Sequence, residues 1–570
     1  MPALVSKKFR IHNAKQFVEA FDEDKGYSTF ANTSDPGDTS LETNMYLFIG
    51  GISAFSDDTN PPTPTDSVAN SYFSNWRDMI AAKKISSADV SHCIPRKNWT
   101  TGTAYFAYTH ANNALYDQDF YVMTDEYNVY KCLANNDSNG SSTDKPTGTG
   151  TSIITPGSDG YKWKFMYNIS ASRALKFVTN SYIPVETLRH ANSAGTISTS
   201  GTNNSGMPTS TQDNEKQHDV EEAAINGQLN IINVDSAGSG YDYVSSTVGS
   251  GQTGYTHSTT SIKIHSTANG TDDYYINYSI YFTGGTQNGK IAKILDYNGT
   301  DKILTIESGK LTSAPADGDA FVIAPTVTIT GDGQGASARA VGTTNLDSIE
   351  LLASGHSYSN AVIVVAGNTV HTSTPTNPTA TAIIEPYGGH GFDSVKELGG
   401  YNVMVNTRLE NTEGGAFTVA NDFRTIGLLA QPLTSAGALA TATTYDQAVT
   451  MTLQNFSGNA PSADQLITGS DSGATARVID WTPGTSTLRV TSVTKGSNTT
   501  NGYDSTPGSW VSGGDGEAIT FDGGGTTANT NTVTAGALKP FSGDVIYTEN
   551  RSPVSRASDQ IEDVKLIINF

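Results

Sequence analysis

Two cysteines, Cys93 and Cys132, are all that the 570 residues contain, so no disulfide framework carries this fold. The pair reads as two buried free thiols, in keeping with a reducing compartment. No stretch approaches the ~18 consecutive apolar residues that a membrane-spanning helix requires. The opening segment Met1–Lys8 lacks the apolar centre of a secretory leader, so the expected place of synthesis and assembly is a cytoplasm. Basic residues are scarce too, 34 against 56 acidic for a formal charge of −22. A field of that sign repels phosphate backbones and anionic lipid, which argues against nucleic-acid and membrane partners. Apolar residues reach only 36%, low for one well-filled core. Transmembrane, collagenous, coiled-coil and disulfide-scaffold classes are excluded together.

In place of apolar runs the chain has 56 glycines and dense Ser, Thr and Asn, the composition of many short strands and turns. It also has 26 Tyr, 20 Phe and 5 Trp, buriable groups that a disordered chain lacks. Residues 1–190 read as mixed α and β. Helical spacing marks Lys15–Phe21, and a second helix is expected over Asp66–Ala81, capped by Thr65 or Asp66, with Val68, Tyr72, Trp76 and Ile80 four apart. Met45–Ile49 is a buried strand, and Ala104–Tyr108 and Phe120–Leu133 alternate as strands do. The period of two over Tyr161–Tyr167 places Tyr161, Trp163, Phe165 and Tyr167 on one face. Residues 191–220 are polar and low in complexity, a surface loop or linker. Val405–Leu409, Phe423–Leu429, Val545–Tyr547 and Val564–Phe570 are further strands, and the last ties the chain end into a sheet.

Between these segments the sequence repeats itself. Ile232–Tyr241 pairs with Ile349–Tyr358, each a strand ending in a Gly-containing turn closed by Tyr. Residues 283–323 pair with the stretch after Thr468, matching Gly289 with Gly473, Ala292 with Ala476, Asp296-Tyr297 with Asp480-Trp481, Leu304 with Leu488, and Asp317-Gly318-Asp319 with Asp515-Gly516-Glu517. Each copy reads as a small β-barrel or sandwich. The expected fold is mainly β with a few helices, an α+β arrangement in which a multilayer β-sandwich core carries inserted barrel or sandwich modules. That core comprises 1–190, 385–445 and 536–570, with insertions at 221–384 and 446–535.

Catalytic signatures are missing: no nucleophile elbow, Walker A loop, H-E-x-x-H or Cys-x-x-Cys occurs. Gly331-Asp332-Gly333-Gln334-Gly335 departs from the dinucleotide pattern and reads as a hairpin turn. His390, between glycines, reads as a turn histidine with a mobile backbone rather than a ligand or base. Asp57-Asp58 and Asp272-Asp273 lack calcium-loop spacing and read as solvated loop charges. The Asn135–Gly140 loop reads as turn chemistry rather than a sugar site. No catalytic, metal-binding or cofactor-binding residue is assigned, and no small-molecule substrate is implied.

Several segments together resemble one family. They are Ser6-Lys7-Lys8-Phe9-Arg10; Pro64-Thr65-Asp66-Ser67-Val68 followed by Trp76; Ile94-Pro95-Arg96-Lys97-Asn98-Trp99; Asp159-Gly160-Tyr161-Lys162-Trp163; Asn421-Asp422-Phe423-Arg424-Thr425-Ile426; and Ser542–Pro553, with Asp559-Gln560 and the final strand. In this order they resemble the baseplate wedge protein, gene product eight, of large contractile-tailed bacteriophages. The likeness covers 1–190, 385–435 and 536–570, about half the chain, and the duplicated modules lie outside it. The resemblance implies a virion protein without enzymatic activity, a β-rich homodimer that contacts other wedge subunits during tail assembly and infection. Arg96, Trp99, Trp163, Arg424, Asn550 and Arg551 are its interface or fold-anchor candidates. A receptor-binding or tail-fibre protein recognising host-surface glycans is the alternative reading, and a glycan depolymerase the third.

Overall fold

The computed structural model describes residues 4–21, 44–67, 70–136, 140–188, 212–252, 254–366, 376–410, 413, 415–419, 421–494, 510, 516–553 and 561–570. It is mainly β, 43% strand against 11% helix, and its sheets are antiparallel throughout. Val68, residues 191–211 and Asp559-Gln560, named above, lie outside the described residues.

The centre is a sandwich. One sheet runs in the order Thr444–Asp446, Met79–Lys84, Met45–Gly50, Thr425–Ala430, Asp544–Asn550, and the other Ile561–Asn569, Asn402–Glu410, Val90–Pro95, Tyr182–Val185. Leu47, Ile49, Ile426 and Leu428 from the first sheet meet Val403, Val405, Val564 and Leu566 from the second in one buried cluster. Alternate residues of Met45–Gly50 turn the other way, and Tyr46 and Phe48 pack on Trp76, Met79 and Leu429. Both faces of that strand are covered, which is why its sequence is apolar without a break. The final strand keeps its period, Val564 and Leu566 facing the core with Ile568 and Phe570 beside them. The helix Lys7–Glu19 begins where the Ser6 hydroxyl accepts the Phe9 amide. It buries Ile11 and Ala14 in two different clusters, wedging the sandwich against a third sheet.

That third sheet, Tyr121–Met123, Asn128–Asn135 and Tyr161–Asn168, corrects one expectation. Tyr161, Trp163 and Phe165 share a face, but Tyr167 faces the opposite cluster. The register moves from Tyr130↔Phe165 to Val129↔Tyr167, so Met166 is a bulged extra residue that reverses the sides. The second helix is shorter than its spacing implied. It covers Asn70–Asp78, and Met79–Lys84 continues as a strand, because the apolar run 79–82 pairs with Gly50–Phe48 of the neighbouring strand. Ala104–Tyr108 forms no strand. The expected linker ends in a helix, Gln212–Ala223. Both cysteines are free and buried.

The two longer repeats fold alike. In the first copy the strands lie in the order Ser261–Lys263, Ile303–Ile306, Ile291–Asn298, Tyr278–Phe282, Ala320–Pro325, Val244–Thr247. In the second, a closed barrel, the order is Val449–Ser457, Thr487–Thr494, Thr475–Thr482, Leu466–Gly469, Ala518–Phe521, Thr527–Thr534. Position by position the orders coincide, with one difference. The last strand of the second copy corresponds to the first strand of the earlier one, so the copies are circular permutants. Gly289 and Gly473 both sit at positive φ, 83° and 66°, where a side chain is disfavoured. Leu304 and Leu488 are both fully buried. The shorter repeats place Ile232 and Ile349 in a common cluster, with Tyr358 between the strands there. The Gly331–Gly335 segment is a corner rather than a hairpin. Val327–Gly331 pairs with Ala361–Val365, whereas Gln334–Gly342 pairs with Leu346–His356. Asp332 holds the corner by accepting the Ser359 and Asn360 amides at 2.9 Å.

Candidate functional site

The six anchor candidates separate into two groups. Arg424, Asn550 and Arg551 come together beside the loop that follows Met45–Gly50. The Arg424 guanidinium donates to both Asp58 oxygens at 2.9 and 2.8 Å and to the Ile52 carbonyl at 2.7 Å. Asn550 donates to the Pro62 carbonyl at 2.8 Å and accepts the Thr425 hydroxyl at 3.1 Å. The Arg551 amide donates to the Arg424 carbonyl at 2.8 Å. Asp58 is therefore not the solvated charge expected of it. The hydrogen bond from Arg424 holds its carboxyl below the ordinary range, while the same contact raises the guanidinium. The Arg424 side chain is buried and fully engaged, so it pins a loop of its own chain.

Arg96, Trp99 and Trp163 lie elsewhere, around the third sheet. Arg96 donates to Asn98 and to the Thr179 carbonyl, both at 3.0 Å. Trp99 donates its indole N–H to the Ser142 hydroxyl at 3.1 Å. Trp163 stacks on Tyr161 with centroids 5.8 Å apart and meets the edge of Tyr105. These contacts are internal.

A charged cluster that the sequence reading missed lies on the opposite face of the third sheet. Lys131, on the strand Asn128–Asn135, places Nζ 2.8 Å from Glu397 Oε2 on the short helix Ser394–Leu398 and 2.9 Å from His390 Nδ1. The Tyr108 ring covers the same ammonium at 4.1 Å and meets the His390 ring edge-on at 4.7 Å. His390 does sit in a turn, but in a packed interior one rather than on an exposed backbone. It is 4% exposed, and its neighbouring glycines serve close approach. A Cβ on Gly389 would lie 2.7 Å from the Ile225 backbone, and one on Gly391 2.3 Å from Val220 Cγ1. The physical signal in the sequence is Val129-x-Lys131-x-Leu133, which puts a lysine on the buried side of a strand.

Two more charges complete the group. Glu385 accepts the His390 amide at 3.2 Å and the Asn230 side chain, and Lys164 donates to the Thr151 carbonyl. Burial pushes the Glu385 carboxyl up to about 7, against the pull of the His390 amide and the two lysines. Burial and the Lys131 charge push His390 down to about 3, so its ring is neutral and accepts from Lys131 at Nδ1. Burial lowers both lysines. It also raises Glu397, but the Lys131 charge and the hydrogen bonds outweigh it and leave that carboxyl below its ordinary value. Two ammonium groups face two carboxylates when Glu385 is ionised, and the dry cluster is then neutral overall.

Among the described residues no group of three or more His, Cys, Asp or Glu is arranged to hold a metal ion. No family model matches the chain, and a comparison with curated proteins finds no match.

Proposed function

We propose that this chain is a structural subunit of a contractile phage tail baseplate wedge, assembled as a homodimer and in contact with other wedge subunits. The carrying observation is the set of motif segments quoted above, in their order along 1–190, 385–435 and 536–570. Two further features support the reading. The conspicuous charged residues, Arg424 with Asp58 and Lys131 with Glu397, are committed to internal ties, as suits a load-bearing part. The duplicated modules with hydroxyl- and amide-rich strands such as Thr527–Thr534 offer polar surface of the kind found in non-obligate interfaces. The −22 charge favours docking against less acidic neighbours.

Cross-linking mass spectrometry on purified particles tests this. Self-links together with links from 221–384 and 446–535 to several baseplate subunits are expected. Links confined to fibre proteins would replace the wedge reading with receptor binding. Solution mass is the second check, since a closed two-fold dimer fits the wedge and a trimer fits a fibre or a depolymerase.

A further inference from the structure

The Glu397 carboxylate is held differently at its two oxygens. Oε1 accepts the backbone amides of Gly391 at 2.8 Å and Asp393 at 3.3 Å. Oε2 lies 2.8 Å from Lys131 Nζ and 3.6 Å from His390 Nδ1, and that same nitrogen is 2.9 Å from Lys131 Nζ. A salt bridge alone needs only the ion pair. This arrangement adds what acyl transfer needs: an amine hydrogen-bonded to the carboxyl group it would attack, two N–H donors on the oxygen that gains charge, and a neutral imidazole beside both the nucleophile and the departing oxygen. All three side chains are closed off, Lys131 at 0% and the other two at 3% exposure. Bulk water therefore neither competes for the carbon nor solvates the ions.

We propose that Lys131 and Glu397 become joined by an intramolecular amide bond once the chain has folded. One proton moving from Nζ to Oε2 converts the ion pair into a neutral amine and acid with no change in total charge; burial pulls both groups that way, against the hold that Lys131 and the hydrogen bonds keep on the Glu397 carboxylate. Nζ then attacks Cδ and the N–C bond forms, placing the negative charge on Oε1 between the Gly391 and Asp393 amides. His390 Nδ1 takes the proton released by Nζ and delivers it to Oε2. The Cδ–Oε2 bond breaks, and that oxygen leaves as water. Ammonium plus carboxylate yields amide plus water, with no oxidant, reductant or cofactor. The bond spans 266 positions of sequence and encloses the whole 221–384 insertion. It staples the chain at the foot of that insertion, where tension on the module would otherwise reach the Ser394–Leu398 helix.

The test is the intact mass of the full chain after denaturation. The expected value lies about 18 Da below the sequence mass, the water lost in forming the amide. Fragmentation of the digest is expected to give a branched peptide containing Lys131 and Glu397. The full sequence mass, or a water loss mapped to any other residue, overturns the proposal and leaves a plain buried ion pair. Lys131→Arg is expected to show the sequence mass, and persistence of the loss in that variant overturns the assignment equally. His390→Gln is expected to accumulate the cross-link at least tenfold more slowly, and an unchanged rate removes His390 from the step.

Discussion

Glu517 is the sharpest place to test whether the two six-stranded copies are held by the same device. Its side chain is fully buried. Oε1 accepts the amides of Asp471 and Ser472, and Oε2 accepts the Ser472 hydroxyl at 3.0 Å. One carboxylate thus latches the turn that follows Leu466–Gly469 to the strand Ala518–Phe521. Asp319 occupies the matching position in the earlier copy with fewer ties, accepting the Ala316 amide at 3.0 Å and the Thr286 hydroxyl at 3.4 Å. In Glu517→Ala two part-buried amides lose a charged acceptor worth about 1.5–3 kcal/mol each, so about 3–6 kcal/mol of local stability goes. Amide exchange in the native state reads such an opening free energy segment by segment. At about 1.4 kcal/mol per tenfold, exchange in Leu466–Gly469 and Ala518–Phe521 is expected to speed roughly 100- to 20,000-fold. Met45–Gly50, in the sandwich, is expected to stay within about threefold, because the sites share no partners. Asp319→Ala, losing one good bond and one long one, is expected to speed Tyr278–Phe282 and Ala320–Pro325 by roughly 10–100-fold. A rise below tenfold in the Glu517→Ala barrel, or an equal rise in the sandwich, would refute the shared latch.

Three further outcomes follow from the structure. Glu385, raised to about 7 from an ordinary 4.5, binds its proton more tightly folded than unfolded. Its contribution is complete below about pH 4.5 and is lost as pH rises to about 7, so Glu385→Gln is expected to gain up to about 3 kcal/mol on wild type between pH 5 and 8 in parallel urea titrations. A gain that runs the other way would show the carboxyl ionised at all these pH values. Gly427 sits in a central strand where a Cβ would lie 2.3 Å from Phe48 Cζ and 2.6 Å from the Tyr547 carbonyl. Gly427→Ala is expected to cost about 1–3 kcal/mol, read as a melting temperature several degrees lower. Ser6→Ala removes the cap on Phe9 and is expected to cost the N-terminal helix about 1 kcal/mol, seen as faster exchange at Phe9 and Arg10, with Ser6→Asp restoring protection.

What could be read without coordinates was what local pattern determines. Met45–Ile49 announced its strand as an unbroken apolar run ended by Gly50-Gly51, and Val564–Phe570 by its period of two. The Gly289 and Gly473 match pointed to one architecture used twice because positive φ is a local demand that few residues meet. Reading failed where a partner far along the chain decides. Ile80 continues the four-residue spacing of Tyr72 and Trp76, but Met79–Lys84 is claimed by Met45–Gly50 on one side and Thr444–Asp446 on the other. The one-residue bulge at Met166 leaves no trace in a pattern of alternating aromatics. His390 looked exposed because glycine is ambiguous: the same residue type serves freedom in a loop and contact in a packed corner. The pairing of Arg424 with Asp58 and of Lys131 with Glu397 joins residues 366 and 266 positions apart, and no local signal encodes a distance of that kind.

The permuted order of the two six-stranded modules carries a practical consequence for protein engineering. One copy begins with the strand that ends the other, so the same strand order forms whether that stave arrives first or last. The loop beside that stave, between Val244–Thr247 and Ser261–Lys263 in one copy and between Ala518–Phe521 and Thr527–Thr534 in the other, is a natural cut point. New termini or a foreign domain spliced there would inherit a break that the architecture already accommodates, which makes each module a ready socket for an inserted domain.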